Sequence, residues 1–258
     1  KYQMKAGLRY EYTDNAGDFA SGTVKVKNSY HNLFPSFVIA TIFDNYSNLK
    51  LSYSKRLQRP GLYNLDPFED ARDPNNISKG NPYLSPELSQ TVDFAYGKFA
   101  EKKSYNVSLY YKYTDKVMQQ ITNVDSGVFI TTFENIGNND NIGLNIYGQV
   151  EWWDSLTIRG SGNVYYLDQR GINPNTNELL SNSDIPFIDH IQYNIYGSAE
   201  LKLGKGFSAW LFGNFNSREL TLQGKVPSFT FMGVGLMKEI WKKKGTIGIQ
   251  IYNPFNEY

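Results

Sequence analysis

The sequence predicts an all-β chain whose antiparallel strands cross a membrane as the wall of a barrel. Three observations carry that expectation. Apolar and polar residues alternate with period two. The alternating runs are long, roughly ten to thirteen residues, and short connections alternate with long ones along the chain. An alternating strand has one apolar and one polar face. Ordinary globular strands run about 5–6 residues, whereas a tilted strand needs about 9–11 to cross a bilayer.

Eleven strands are expected. The first, 3–13, sets Met4, Ala6, Leu8, Tyr10 and Tyr12 against Lys5, Gly7, Arg9, Glu11 and Thr13. The next are 29–43, 48–57 ("NLKLSY") and 89–99 ("TVDFAYGKF"). Then 104–122 and 128–153 read as one tall hairpin rising beyond the membrane, with its tip near 123–127. Tyr105, Val107, Leu109 and Tyr111 give the first its apolar face; Ile142, Leu144, Ile146 and Val150 give the second. The rest are 155–167, 190–203, 206–217, 228–239 and 245–252. Asn145, Gln149, Glu151, Arg159, Asn163, Gln192, Glu200 and Lys202 fall on the opposite parity and are expected to face the lumen.

The connections "DNYSN", "AEKK", "WDS", "LGKG" and "WKKKG" are short. Long ones, 58–88, 168–189 and 218–228, lie between them together with the tall hairpin's tip. Tight periplasmic turns and long extracellular loops have this pattern in outer-membrane barrels. Phe43, Tyr46, Phe99, Tyr105, Trp152, Trp153, Phe207 and Trp241 flank the short turns, where an interfacial aromatic girdle belongs. Aromatics are abundant, with 20 Tyr, 16 Phe and 4 Trp, more tyrosine than a dry core could satisfy.

Other totals exclude more than they assign. Net charge is +1, so bulk attraction to nucleic acid is not expected. Absence of cysteine removes disulfides, thiolate metal sites and a cysteine nucleophile. No apolar run approaches the roughly 18 residues of a membrane helix, which leaves a strand-built crossing open. An odd strand count does not suit a closed single-chain barrel. Either further strands complete the wall, or the 128–153 run is two strands.

The longest connection holds Pro60, Pro67, Pro74, Pro82 and Pro86, half of the chain's ten prolines. Proline lacks a backbone donor, so this segment is expected to stay out of any ladder. Arg56, Arg59, Tyr63, Asp66, Glu69, Asp70, Arg72 and Asp73 crowd it and are the candidate ligand-binding residues. Equally, mixed charges there could only hold a solvated loop folded, since surface ion pairs are common and individually weak. In "EDARDPNN", Glu69, Asp70, Asp73 and Asn75 supply oxygens that suit calcium, but the spacing is not that of an EF-hand, and no metal or cofactor is expected. Asp189-His190 has no nucleophile motif beside it, so catalysis is not expected. "RGSGN" lies inside a strand and lacks the following helix of a phosphate loop.

"LSYSKRLQRPGLYNLDPF" and "NISKGNPYLSPELSQTVDFAY" resemble the signature of the Bacteroidetes-type outer-membrane β-barrel family of TonB-dependent receptors. The pieces that match are Tyr53-Ser54-Lys55-Arg56, Arg59-Pro60, Leu65-Asp66-Pro67-Phe68 and the run from Gly80 to Glu87. "GLRYEY", "NLFPSF" and "GTIGIQIYNPFNEY" fit more generically. The resemblance implies a barrel of about 22 strands with a plugged lumen, of which this chain is a partial segment and a single barrel portion, 1–258. It further implies residence in a Gram-negative outer membrane, among lipid, and energised import of a ligand captured by long outer loops. The implied partners are a TonB-type energy-coupling protein, acting through a plug not found in this sequence, and an accessory surface lipoprotein. Alternatives are a passive pore or adhesion barrel, and a secreted β-sandwich that binds carbohydrate through tyrosines.

Overall fold

The computed structural model describes residues 1–19, 24–170, 190–221 and 224–254. Its strands, in chain order, are β1 (Tyr2–Phe19), β2 (Val24–Ile42), β3 (Ser47–Gln58), β4 (Asp70–Asp73), β5 (Asn76–Ser78), β6 (Glu87–Phe99), β7 (Lys103–Asp115), β8 (Met118–Asp125) and β9 (Val128–Asn135). They continue as β10 (Asn138–Trp152), β11 (Leu156–Arg170), β12 (His190–Gly204), β13 (Phe207–Asn216), β14 (Glu219–Thr221), β15 (Gly224–Val226), β16 (Phe229–Ile240) and β17 (Gly245–Tyr252). A single helical turn, α1, spans Leu62–Leu65.

Eleven of these strands form one sheet in the order β1-β2-β3-β6-β7-β10-β11-β12-β13-β16-β17, and its pairs are antiparallel. Register decides which residues share a face, because directly paired residues point the same way. Phe94, Leu109, Leu144 and Val164 are successive partners across β6, β7, β10 and β11. Their neighbours Ala95, Ser108, Asn145 and Asn163 form the matching row on the other face. Every lumen-facing residue expected from the sequence falls on that second face.

The apolar face is not covered by protein. Leu109 is 57% exposed, Ile142 56%, Leu211 56% and Ile249 73%. Among the described residues only Phe34, Leu84, Ala95, Val117, Ile136 and Leu167 are buried hydrophobics. That excludes a sandwich core, in which two inner faces interdigitate. Exposed aromatics crowd the short-turn end: Trp152 on the uncovered face, Phe99 on the opposite parity, and Phe43, Tyr46, Trp153 and Trp241 at the turns themselves. Lys102 and Asp154 tie two adjacent short turns together by an ion pair.

Three expectations need correction. The tall hairpin is not continuous. Lys116 and Gly137, both at positive φ, break it opposite one another, and Val117 and Ile136 bridge the break by main-chain hydrogen bonds. The split leaves the wall at eleven strands, because β8 and β9 leave it for a second sheet. Nor do the prolines keep 58–88 out of every ladder. The proline-free runs β4 and β5 pair with each other, Pro74 sits in the turn between them, and β5 adds parallel to β9. Finally, β1 and β2 pair as far as Phe19 and Val24, beyond the expected limits of 13 and 29. Above the membrane a ladder needs only backbone partners, so side-chain period stops reporting its length. The expected loops 168–189 and 218–228 lie partly outside the described residues, as do Asp189 and the end of "NPFNEY".

Candidate functional site at the outer mouth

The second sheet, ordered β4-β5-β9-β8, stands at the long-loop end of the wall. Its hairpin closes through Ser126 and Gly127, both at positive φ, the two-residue turn whose twist suits paired strands. The proline-rich connection lies against it, fastened by the run from Gly80 to Glu87. Gly80 donates its N–H to the Asp66 carbonyl at 2.7 Å. A Cβ there would meet the main-chain oxygens of Asp66 and Asn64 at 2.6 and 2.7 Å, so only glycine admits this crossing. Asn81 donates from Nδ2 to the Phe133 carbonyl at 3.0 Å, and its Oδ1 accepts from the Tyr83 N–H. Leu84 is 2% exposed. Asn135 accepts from the Ser85 N–H at 2.7 Å and donates to the carbonyls of Ser85 and Lys116 at 2.9 and 2.7 Å. Glu87 accepts from the Met118 N–H at 2.7 Å. Together these bonds bind the loop to both strands of the broken hairpin.

The eight candidate residues have distinct places. Arg56 is on β3, exposed, on the lumen-facing parity beside Ser89. Arg59 reaches back to β1, where Nη2 lies 2.8 Å from Glu11 Oε2 and 3.1 Å from Thr13 Oγ1. Tyr63 is 72% exposed, with its ring edge against Phe133 at 6.0 Å between centroids. Asp66 caps its own turn by accepting from the Phe68 N–H. Glu69 pairs with Lys79 at 2.9 Å, and Asp70 with Arg72 at 2.6 Å. Asp73 accepts from the Asn75 N–H and from Asn76 Nδ2. Tyr63, Asp66, Phe68, Asp70, Arg72 and Lys79 line one shallow depression of about 410 Å³; Arg56, Arg59, Glu69 and Asp73 stand apart from it. Arg59 instead borders a cavity of about 430 Å³ between the loop and the β1–β2 hairpin, which Tyr30 also lines; Glu11 and the Tyr30 phenol both help hold the Arg59 guanidinium charged.

The carboxylates here are engaged. Hydrogen bonds from Arg72 hold Asp70 below the usual carboxylate range, and Asn76 does the same for Asp73. Burial pushes Glu134, on β9, upward. No group of three or more metal-ligating side chains converges among the described residues. Groups with a lowered folded pKa stabilise the loop above the unfolded carboxylate value, near 4, and lose that contribution as pH falls through the folded value. Amide exchange in β5, corrected for intrinsic rate, is therefore expected to become faster below about pH 4 as Asp70 and Asp73 protonate. Glu134, raised by burial, acts in the opposite sense and slows exchange as it protonates at higher pH. Asp73→Asn should remove part of that acid step.

What the candidate list missed is the fastening set: Gly80, Asn81, Asn135 and Glu87. Gly80, Asn81 and Glu87 sit inside the run "GNPYLSPE"; nothing local singles out Asn135, which the fold brings to Ser85 from 50 positions away.

The chain matches a family model described as "Outer membrane protein beta-barrel family" over residues 1–258. Among solved structures, it is similar to the FrpB iron transporter from Neisseria meningitidis (F3-3 variant), at TM-score 0.65 and 15% identity, covering 99% of this chain and 39% of that one. The copper transporter OprC gives 0.64 and 11%, covering 98% and 40%. The siderophore receptor PirA from Pseudomonas aeruginosa gives 0.60 and 13%, covering 98% and 46%. At such identities the likeness is one of fold, and the chain spans about two fifths of FrpB and OprC and under half of PirA. No curated protein sequence matches it.

Proposed function

The chain belongs to the outer membrane protein beta-barrel family and resides in the outer membrane of a Gram-negative bacterium, and we propose that it forms about half the wall of a TonB-dependent receptor of the Bacteroidetes type. That receptor captures a ligand with its outer loops and imports it at the expense of energy delivered through TonB acting on a plug. The work is binding and passage, with no bond made or broken. Contacts to the ligand are assigned to the outer loop, with Tyr63 and Arg72 presented at the depression and Arg56 and Arg59 nearer the lumen. The charges of Asp66, Glu69, Asp70 and Asp73 shape that loop.

The observation that carries the reading is the uncovered apolar face of an eleven-stranded wall with a folded loop assembly fastened at one end. The strand count supports it further. β1 and β17 are the two edges, and both run from the short-turn end outward. Pairing them with each other would be parallel, so antiparallel closure takes an odd number of further strands. Two copies of this chain would meet the same parallel seams. Eleven more strands would give the even, 22-stranded wall of outer-membrane transporters.

The test is uptake by cells with the gene intact or deleted, with and without a protonophore. The panel is ferric and cupric chelates, oligosaccharides, oligopeptides and a vitamin. The first two members follow from the named cargo of the similar structures. Import requires that deletion abolish uptake of one member and that the protonophore do the same. Uptake that depends on the gene but survives the protonophore would instead establish a passive pore.

A further inference from the structure

Positive charge gathers at two of the short turns. At the β6–β7 and β10–β11 turns, Lys98, Lys102 and Lys103 are matched by Glu101, Glu151 and Asp154, and all three acids act on Lys102. The β12–β13 and β16–β17 turns lie side by side, because β13 pairs with β16. Residues 203–207 and 237–246 there hold Lys205, Lys238, Lys242, Lys243 and Lys244 against the single carboxylate of Glu239. Glu239 takes the lumen-facing parity, opposite Thr246. No ion pair among the described residues engages Lys205, Lys238, Lys242 or Lys244.

Lys238 stands on the lipid-facing parity. Register sets it between Phe207 on β13 and Ile247 on β17, both exposed, in line with Val234 and Leu236. Its ammonium lies 4.0 Å from the Phe207 ring centroid and donates to the Lys205 carbonyl. Both partners are neutral, so a charge at the edge of the hydrocarbon is left unmatched. A lysine so placed runs its stem along apolar surface and delivers its head to the interface. Trp241 completes the patch. A Cβ at Gly245, which pairs with Ile240 on the same parity, would stand 2.8 Å from the Trp241 ring. The indole therefore lies over the start of β17, at the level where amphipathic rings meet headgroups.

An unmatched ammonium on the lipid face, basic side chains in the adjoining turns and an indole at the same level suit an anion anchored in lipid. Lysine binds phosphate as a compact point charge. A zwitterionic headgroup would bring its own ammonium into this cluster, whereas a glycerol phosphodiester brings none. We infer that this corner of the inner rim binds an anionic glycerophospholipid of the periplasmic leaflet. Lys238 and Lys205 hold its phosphate, with Lys242 and Lys244 beside them, and its acyl chains lie on Phe207 and Ile247. Continuity of the patch with the lipid-facing surface favours a lipid over a soluble partner. The proposal rests on the outer-membrane barrel, whose short turns face the periplasm, and adds a lipid ligand to it.

The test uses the complete polypeptide folded in neutral detergent, titrated with dioleoylphosphatidylglycerol or dioleoylphosphatidylcholine and read by native mass spectrometry. Heat-modifiable migration in gels reports whether the barrel has formed. Phosphatidylglycerol should be retained more tightly than phosphatidylcholine. The double variant Lys205→Gln/Lys242→Gln should weaken its retention roughly fivefold for each lysine lost. Lys238→Gln should do the same, while Lys238→Arg, which keeps the charge, stays near the parent. Lys102→Gln/Lys103→Gln, at the matched turn, is the control and should leave retention unchanged. If the two lipids are retained alike, if the Lys205/Lys242 variant binds as the parent does, or if the control loses as much, the site is refuted while the barrel stands. A parent that shows no heat-modifiable barrel would overturn the barrel reading itself, and the site with it.

Discussion

Arginine in place of Leu109 is expected to destabilise the membrane-folded protein by about 2–4 kcal/mol. Leu109 lies midway along β7, between Phe94 on β6 and Leu144 on β10, with more than half of its surface open. In a soluble protein so exposed a position would accept arginine within about ±0.5 kcal/mol. In lipid the guanidinium loses its water and finds no counter-ion. Asn145, one parity away on β10 and exposed, supplies the control, and Asn145→Arg should cost within about ±0.5 kcal/mol because the lumen is wet. Urea-driven unfolding from bilayers measures both. Equal effects would mean that the two faces do not differ in what they meet.

The second large effect is expected at Asn135. Its side chain makes three hydrogen bonds, one accepted from Ser85 and two donated to the carbonyls of Ser85 and Lys116. Alanine removes all three and leaves the partners in a region where Leu84 and Ile136 exclude water. Orphaned polar groups of this kind cost about 1–3 kcal/mol each, moderated here because water can enter from the loop surface. A net loss near 2 kcal/mol corresponds to roughly thirtyfold faster amide exchange for β5 and residues 80–85. The main sheet shares none of these bonds, so its unfolding midpoint should stay in place. A fall in both together would mean that the outer assembly and the wall are one cooperative unit.

The wall was legible in the sequence because lipid on one side and water on the other impose a period of two on every crossing strand. All eleven strands, and the parity of residues such as Asn145 and Arg159, follow from that rule. The outer sheet was not legible for the same reason. Above the bilayer no solvent difference selects alternate residues, so "DARD" and "NIS" carry no pattern, although both pair. Their partners come from far along the chain: β5 finds β9, some fifty residues on, as a parallel neighbour. The break at Lys116 and Gly137 was also hidden, since lysine at positive φ has no sequence signature. Register also puts Trp210 and Phe231 on the wet face, a placement that the alternation rule alone did not supply.

The candidate site was half legible. Composition located the loop, and "GNPYLSPE" marked its anchor, but charge alone did not show which of its carboxylates are already paired within the loop. Asp70 and Asp73 are satisfied by Arg72, Asn75 and Asn76 within the loop itself.

These 258 residues contain no cysteine, so once any cysteine elsewhere in the polypeptide is replaced by serine, single cysteines report each position of β10 without background. Residues 142 to 150 should be scanned in intact outer membranes with a membrane-impermeant maleimide and with a lipid-soluble one. The account predicts a period of two. Asn145, Tyr147 and Gln149 should react with the aqueous reagent, and Ile142, Leu144, Ile146, Gly148 and Val150 only with the lipid-soluble one; Gly143 is left unchanged, because a Cβ there would meet Tyr110 and Tyr165 at 2.6 Å. Uniform protection of both sets, or uniform aqueous labelling, would contradict a wall that separates lipid from a wet lumen.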